Sequence, residues 1–286
     1  MAIEQPYRGV VVPMVSPFRP DGSIDVPAVG RIVEMLLAVG TAGIFPLGTT
    51  GESASIAPAE RRKLVEATVS CVGGRAMVYA GISGNCFAES VDAAHAYKQL
   101  GAHAVVAHIP SYYPLNDGEI EAYLLRLADR VPLPLVLYNI PATTHHSIPI
   151  HVVDRLRKHG NVVAIKDSAN DAKRLAELLA MTGGRGGFPV LLGCSALFSR
   201  GLKLGAVGLV PSGSHLAAAE YQQMFDAAMA DRWDEVERLQ AQTDEVTAGY
   251  TRGRSLAQSL AALKASLEAR GLCGRTVLPP LLSQED

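Results

Sequence analysis

Asn161-Val162-Val163-Ala164-Ile165-Lys166-Asp167-Ser168 decides the fold. Four apolar residues, three of them β-branched, run into a lysine and then into polar turn chemistry. That is the pattern of a short buried strand and too brief for a helix. A lone ammonium at the end of such a run sits where an apolar environment disfavours charge, and a neutral amine there can attack a carbonyl to form a Schiff base. The same run also reads as the solvated end of a strand, with Lys166 paired to Asp167 or another nearby carboxylate.

Outward from this run the pattern repeats. Runs rich in Val, Ile and Leu fall at Gly9 to Val15, Gly43 to Leu47, Ala76 to Ala80, Ala104 to Ile109, Leu133 to Tyr138, Asn161 to Ile165, Pro189 to Leu192 and Ala206 to Val210. Helical patterns lie between them at Val26 to Val39, Ala59 to Val72, Ala88 to Leu100, Asp117 to Asp129 and Ala172 to Met181. Asp25 is placed to cap the first helix, and Pro27 and Pro58 sit in first-turn positions. Alternating strands and helices imply a parallel sheet of the α/β class. Eight units in roughly 210 residues fit a closed (β/α)8 TIM barrel. No GxGxxG turn follows the first run, so a doubly wound dinucleotide-binding sheet fits less well. Beyond Ser214 the pattern is wholly helical, with Ala217 to Ala230, Trp233 to Thr247 and Leu256 to Arg270. The expected division is a catalytic barrel over 1–214 and a C-terminal helical appendage over 215–286, packed on the barrel.

With 26 basic and 28 acidic residues among 286, the net charge of -2 gives no reason to expect nucleic acid or an anionic membrane surface as partner. A small molecule is the expected partner. Cys71, Cys86, Cys194 and Cys273 form no CxxC pair, which fits reduced thiols in a cytoplasmic protein. Met1 to Arg8 carries Glu4 where a secretion signal would be continuously apolar, and no run approaches the roughly 20 residues of a membrane span.

In a barrel of this kind the active site lies at the C-terminal ends of the strands. The second run ends in Gly48-Thr49-Thr50-Gly51-Glu52, where backbone amides and hydroxyls can converge on a small anion such as a carboxylate, or simply form a capped tight turn. The fifth ends in Tyr138-Asn139-Ile140-Pro141, whose phenol is a candidate proton donor and acceptor or a packing residue. The fourth leads into Ser111-Tyr112-Tyr113-Pro114, with two more phenols that relay protons or anchor the loop.

Taken together, GTTGE, YNIP and IKDS resemble, in order, the motifs of the dihydrodipicolinate synthase and N-acetylneuraminate lyase family of Schiff-base, class I pyruvate-dependent aldolases. The resemblance spans nearly the whole chain and implies that Lys166 forms an imine with pyruvate or a pyruvyl-containing substrate, with no other cofactor. It implies that Gly48, Thr49, Thr50 and Gly51 hold the substrate carboxylate and that Tyr138 is general acid and base. It implies that Tyr113 reaches a neighbouring subunit and relays protons through Thr49, and that Gly193 and Val210 meet substrate through their backbone. The active form implied is at least a dimer, and a homotetramer in the family's usual form.

Substrate choice rests on departures from the family pattern. The synthases typically carry an arginine five positions after the strand-five tyrosine, where this chain has Thr143. The lyases carry acidic residues after the strand-seven glycine, where this chain has Cys194-Ser195-Ala196. The expectation is a lyase or sugar-acid aldolase branch acting on a 2-keto-3-deoxy sugar acid or a 4-hydroxy-2-oxo acid, with Thr143, Ser195, Ser212 and His145 as candidate contacts. The alternatives are 4-hydroxy-tetrahydrodipicolinate synthase, a dehydratase or deaminase of the same family, and a noncatalytic 2-oxo acid binding protein. His108, His145, His146 and His215 lie near strand ends and raise a metal-dependent aldolase as a further mechanism, although a metal site is not the expectation.

Overall fold

A computed structural model describes residues 6–283 of the chain; residues 1–5, part of the segment read above for a leader, and 284–286 of the appendage lie outside the described residues. The strands are β1 (Gly9–Val12), β2 (Gly43–Ile44), β3 (Met77–Gly81), β4 (Ala104–Ala107), β5 (Leu135–Asn139), β6 (Val162–Asp167), β7 (Val190–Leu192) and β8 (Gly208–Leu209). They pair in sequence order, all parallel, and β8 returns to β1 to close the barrel. The helices are α1 (Val26–Leu37), α2 (Pro58–Val72), α3 (Phe87–Gln99), α4 (Asp117–Arg130), α5 (Pro141–Thr144), α6 (Ile150–Leu156), α7 (Ala172–Thr182), α8 (Phe198–Lys203), α9 (Ser214–Met229), α10 (Trp233–Thr251) and α11 (Leu256–Glu268). The expected TIM barrel is the observed one.

Local chemistry explains the helix starts. Asp25 caps α1 by accepting from the Ala28 N–H, and Pro27 occupies a first-turn position that needs no donor. Asn116 with Glu119, and Ser255 with Gln258, form capping boxes on α4 and α11. Asp171 accepts from the Lys173 and Arg174 N–H groups at the start of α7. Three short helices, α5, α6 and α8, fall outside the expected set, since runs this brief show little periodicity.

The strands are shorter than the apolar runs that announce them. Pro13 has no N–H to continue β1, and beyond it the Val15 N–H is taken by the His215 ring. Leu47 turns left-handed (φ 62), which ends the β2 run.

Alternation along each strand sorts the core into two layers. Val11, Phe45, Tyr79, Val106, Val136 and Leu191 fill the barrel interior. Val10, Ile44, Val78, Val105, Leu137 and Ile165 face outward under the helices. Burial of such side chains contributes roughly 1.5–3 kcal/mol each. Lys166 shares its parity with Ala164, an interior residue, so β6 delivers the lysine inside the barrel and not beneath the helices.

Helix α9, which a division at 214/215 assigns to the appendage, follows the eighth strand and packs on β1, β8, α1 and α8, and most extensively on α10, so it joins the barrel to the remaining C-terminal helices. None of the described helices is long and apolar enough to cross a membrane.

Candidate active site

Tyr138 and Lys166 are register partners on β5 and β6, and both point into the barrel at its C-terminal end. Lys166 Nζ lies 4.0 Å from the centre of the Tyr138 ring and 5.0 Å from that of Phe45, so two aromatic faces hold the amine in place. Lys166 is buried and forms no ion pair with Asp167, which points the other way. The Tyr138 hydroxyl is 3.2 Å from Thr49 Oγ1, which links the strand-five phenol to the turn after β2.

That turn closes on itself. Gly51 N–H donates to Gly48 O and Glu52 N–H to Thr49 O, each at 3.1 Å, which leaves the Thr49 and Thr50 amides outside the turn's own bonds among the described residues. Ser16 Oγ donates to Gly51 O at 2.6 Å and anchors the turn to the chain beyond β1. A methyl at Gly51 would lie 2.9 Å from Met14 O, so glycine is required there by close approach.

Gly193 and Val210 sit beside the lysine. Gly193 N–H donates to Asp167 O and Val210 N–H to Leu192 O, each at 2.7 Å. A methyl on Gly193 would come within 2.0 Å of Ser168 Oγ and 2.9 Å of Lys166 Cε, so the glycine makes room for the lysine side chain. His108 stacks edge-on to Tyr138, ring centres 6.1 Å apart. Its Nδ1–H donates to Ile109 O at 2.7 Å. Burial pushes its pKa below the usual imidazole range, the Lys166 charge adds to that, and the bond to Ile109 opposes it. Beside Thr49 and His108 opens a cavity of about 280 Å³, lined also by Thr143, Ser111, Leu256 and Leu260.

Other candidates lie apart from the lysine. Tyr113 is 67 % exposed and stacks edge-on with Tyr112 on the surface. Ser212 Oγ bonds the Tyr250 hydroxyl at 2.8 Å, and Ser195 lies in a 3-10 turn whose carbonyl accepts from Gln240. Thr143 Oγ1 donates to Ile140 O within α5, and His145 is the exposed left-handed residue that ends it. The imidazoles do not converge. His215 donates from Nδ1 to Ser212 O and accepts the Val15 N–H at Nε2, while His146 accepts the Leu115 N–H. No group of three or more His, Cys, Asp or Glu among the described residues is placed to hold a metal ion.

Two buried networks were not anticipated. Asp167 accepts from Asn139 Nδ2 at 2.9 Å, Arg174 Nε at 3.0 Å and the Ala169 N–H at 2.9 Å, and so ties the ends of β5, β6 and α7 together directly behind Tyr138 and Lys166. Glu52 is buried against Lys264 of α11. The signals were present: an asparagine and an aspartate each follow a candidate catalytic residue, and Lys264 stands on the apolar stripe of Ala261 and Leu267.

A parallel eight-stranded barrel with a buried lysine on strand six beside a strand-five tyrosine defines an architecture, and its sequence relationships name the family. The chain belongs to the dihydrodipicolinate synthetase family, which matches residues 6–286. It is 31% identical over 277 residues to a 4-hydroxy-tetrahydrodipicolinate synthase of Acidothermus cellulolyticus, covering 97% of this chain and 87% of that one. The corresponding enzyme of Kineococcus radiotolerans is 32% identical over 280 residues, covering 97% and 88%. Among solved structures, dihydrodipicolinate synthase from Bacteroides thetaiotaomicron superposes with a TM-score of 0.92 at 30% identity, covering 97% of this chain and 94% of that one. Membership of this family supports an enzyme of the pyruvate-dependent aldolase or synthase type.

Proposed function

We propose that the chain is a Schiff-base, class I lyase or aldolase of 2-oxo acids, and that Lys166 is its nucleophile. The observation that carries this reading is the alignment of Lys166 Nζ, the Tyr138 phenol and Thr49 Oγ1 at the strand ends. The amine adds to the C2 carbonyl of the oxo acid, the carbinolamine loses water, and a protonated imine forms. The imine accepts the electron pair released when the bond beyond carbon 3 breaks, leaving an enamine on Lys166. In this scheme Tyr138 exchanges protons with the carbinolamine and the departing oxygen, and Thr49, 3.2 Å from its hydroxyl, passes them on. The Thr49 and Thr50 amides and hydroxyls are the donors for the substrate carboxylate. No cofactor beyond the imine enters this scheme.

The substrate we propose is a 2-keto-3-deoxy sugar acid or a 4-hydroxy-2-oxo acid. A second carboxylate calls for a cationic fork. The described lining of the cavity beside Thr49 carries Thr143, Ser111 and His108 and no arginine or lysine, while Lys166 lies apart from that lining, in the barrel interior with Phe45 and Tyr79. The second reading, 4-hydroxy-tetrahydrodipicolinate synthase, is favoured by the names of the similar proteins. We also propose a cytoplasmic homotetramer in which Tyr113, exposed on the surface of the single chain, reaches a neighbouring subunit's site. Borohydride reduction with pyruvate tests the nucleophile: mass is gained on Lys166, and an unlabelled lysine sinks the reading. Pyruvate release from a panel of 2-oxo acids, beside condensation of pyruvate with aspartate semialdehyde, separates the two substrate classes.

A further inference from the structure

We propose that Lys264, on α11 of the appendage, is a positioning residue for the Gly48-Thr49-Thr50-Gly51-Glu52 turn, acting through a buried ion pair with Glu52. The inference rests on the reading of that turn as the carboxylate cradle.

Both side chains are fully enclosed, each 0% exposed. Glu52 Oε1 lies against the Lys264 ammonium as a charge contact and accepts no aligned hydrogen bond, while Oε2 accepts the Leu278 N–H at 3.0 Å. The ammonium donates to Thr276 O at 2.7 Å and lies 4.0 Å from the centre of the Phe18 ring. Burial pushes the Lys264 pKa down from the usual lysine range, and the Glu52 carboxylate opposes that shift. Both oxygens of one carboxylate are therefore held by the appendage and the segment after it.

The backbone of the same residue belongs to the turn. Glu52 is left-handed (φ 54, ψ 31), a conformation that costs a residue with a Cβ, and its N–H closes onto Thr49 O. Rotating or releasing the Glu52 side chain therefore moves the carbonyl and amide of Thr49, the residue that also meets Tyr138. A fully buried ion pair is an inefficient fastening, because desolvating both charges consumes most of what their attraction returns. Apolar contacts alone would secure α11. What apolar contacts lack is direction, which here comes from the bonds flanking the ion pair, Leu278 N–H to Glu52 Oε2 and Lys264 Nζ to Thr276 O, while the charge contact keeps the two side chains together.

The experiment compares Lys264→Met and Glu52→Gln with Leu239→Ala, which opens a cavity in α10 without touching the tether. Amide hydrogen exchange over residues 48–53 is read at a temperature where all three are folded, together with the pyruvate concentration that gives half-maximal borohydride labelling. Faster exchange in the turn is expected for both tether variants, with the half-saturating pyruvate concentration raised roughly tenfold, and neither change for Leu239→Ala. If Lys264→Met does not fold, Glu52→Gln carries the comparison, since it keeps one oxygen to accept the Leu278 N–H and replaces the oxygen facing the ammonium with an uncharged amide donor that cannot hold it. Unchanged exchange in the tether variants overturns the inference, as does equal loosening of the turn by Leu239→Ala. A wild type that takes no label from pyruvate removes the proposed chemistry, and the exchange measurement still decides whether Lys264 holds the turn.

Discussion

Tyr138 and Lys166 stand side by side on paired strands, with the amine over the phenol ring and the phenol hydroxyl turned toward Thr49. Removing the hydroxyl leaves the ring that supports the amine. Tyr138→Phe is therefore expected to keep the fold and the borohydride-reactive lysine while slowing turnover about 10²-fold or more. Thr49→Val is expected to slow the same step, and Thr49→Ser to retain it. Steady-state rates with single-turnover labelling check this; a Tyr138→Phe enzyme with wild-type turnover would remove the phenol from the mechanism.

Gly193 offers a test of space. Because a methyl there meets Ser168 Oγ and Lys166 Cε, Gly193→Ala is expected to suppress imine formation by displacing the lysine stem. Adding Ser168→Gly relieves the closer of the two clashes and is expected to restore part of it. Labelling of Lys166 by mass spectrometry, with circular dichroism as a check on folding, reads both variants.

Asp167 is the acceptor on which Asn139, Ala169 and Arg174 converge, and its side chain is 3% exposed. Asp167→Ala leaves a nearly buried guanidinium without its charge partner, which costs about 3–5 kcal/mol. Urea unfolding measures the loss. A value under about 1 kcal/mol would mean that the pair is held as loosely as a surface salt bridge.

His215 makes stability depend on pH. Burial lowers its pKa to about 4, so the folded chain keeps it neutral while an unfolded chain takes up a proton below about 6.5. The unfolded state binds more protons across that window, and stability falls as pH drops through it, by about 3 kcal/mol between pH 7 and pH 4. His215→Gln is expected to be less stable at pH 7, having lost the clamp between Val15 and Ser212, and to fall less steeply toward pH 4. Parallel slopes for the two proteins would show that other groups set the acid limit.

Much of this molecule is written locally. Alternation on β6 sets Lys166 inside the barrel, and the apolar runs announce all eight strands in order. Strand lengths are less legible, because left-handed Leu47 ends one otherwise uniform run, and Pro13 removes a donor from another even though Met14 N–H still reaches Phe45 O. The candidate nucleophile, phenol and turn are legible in motifs, whereas Ser212 looks like a strand-end contact until its hydroxyl is seen bonded to Tyr250 of α10. For Glu52 only half of the pair is legible: Lys264 on the apolar stripe of α11 marks a buried cation, but nothing in either segment says which carboxylate it meets.

The bond from Leu278 to Glu52 joins positions 226 residues apart. A chain made from its N-terminus exposes the Glu52 carboxylate long before Lys264 or Leu278 has been synthesised. Until α11 and the segment after it are made, the turn after β2 lacks the partners that hold the side chain of its last residue. The order of synthesis thus leaves the turn after β2 without its Glu52 partners until the scaffold around it is built, and a chain halted after α10 would carry Lys166 in place while the proposed carboxylate cradle lacked its tether.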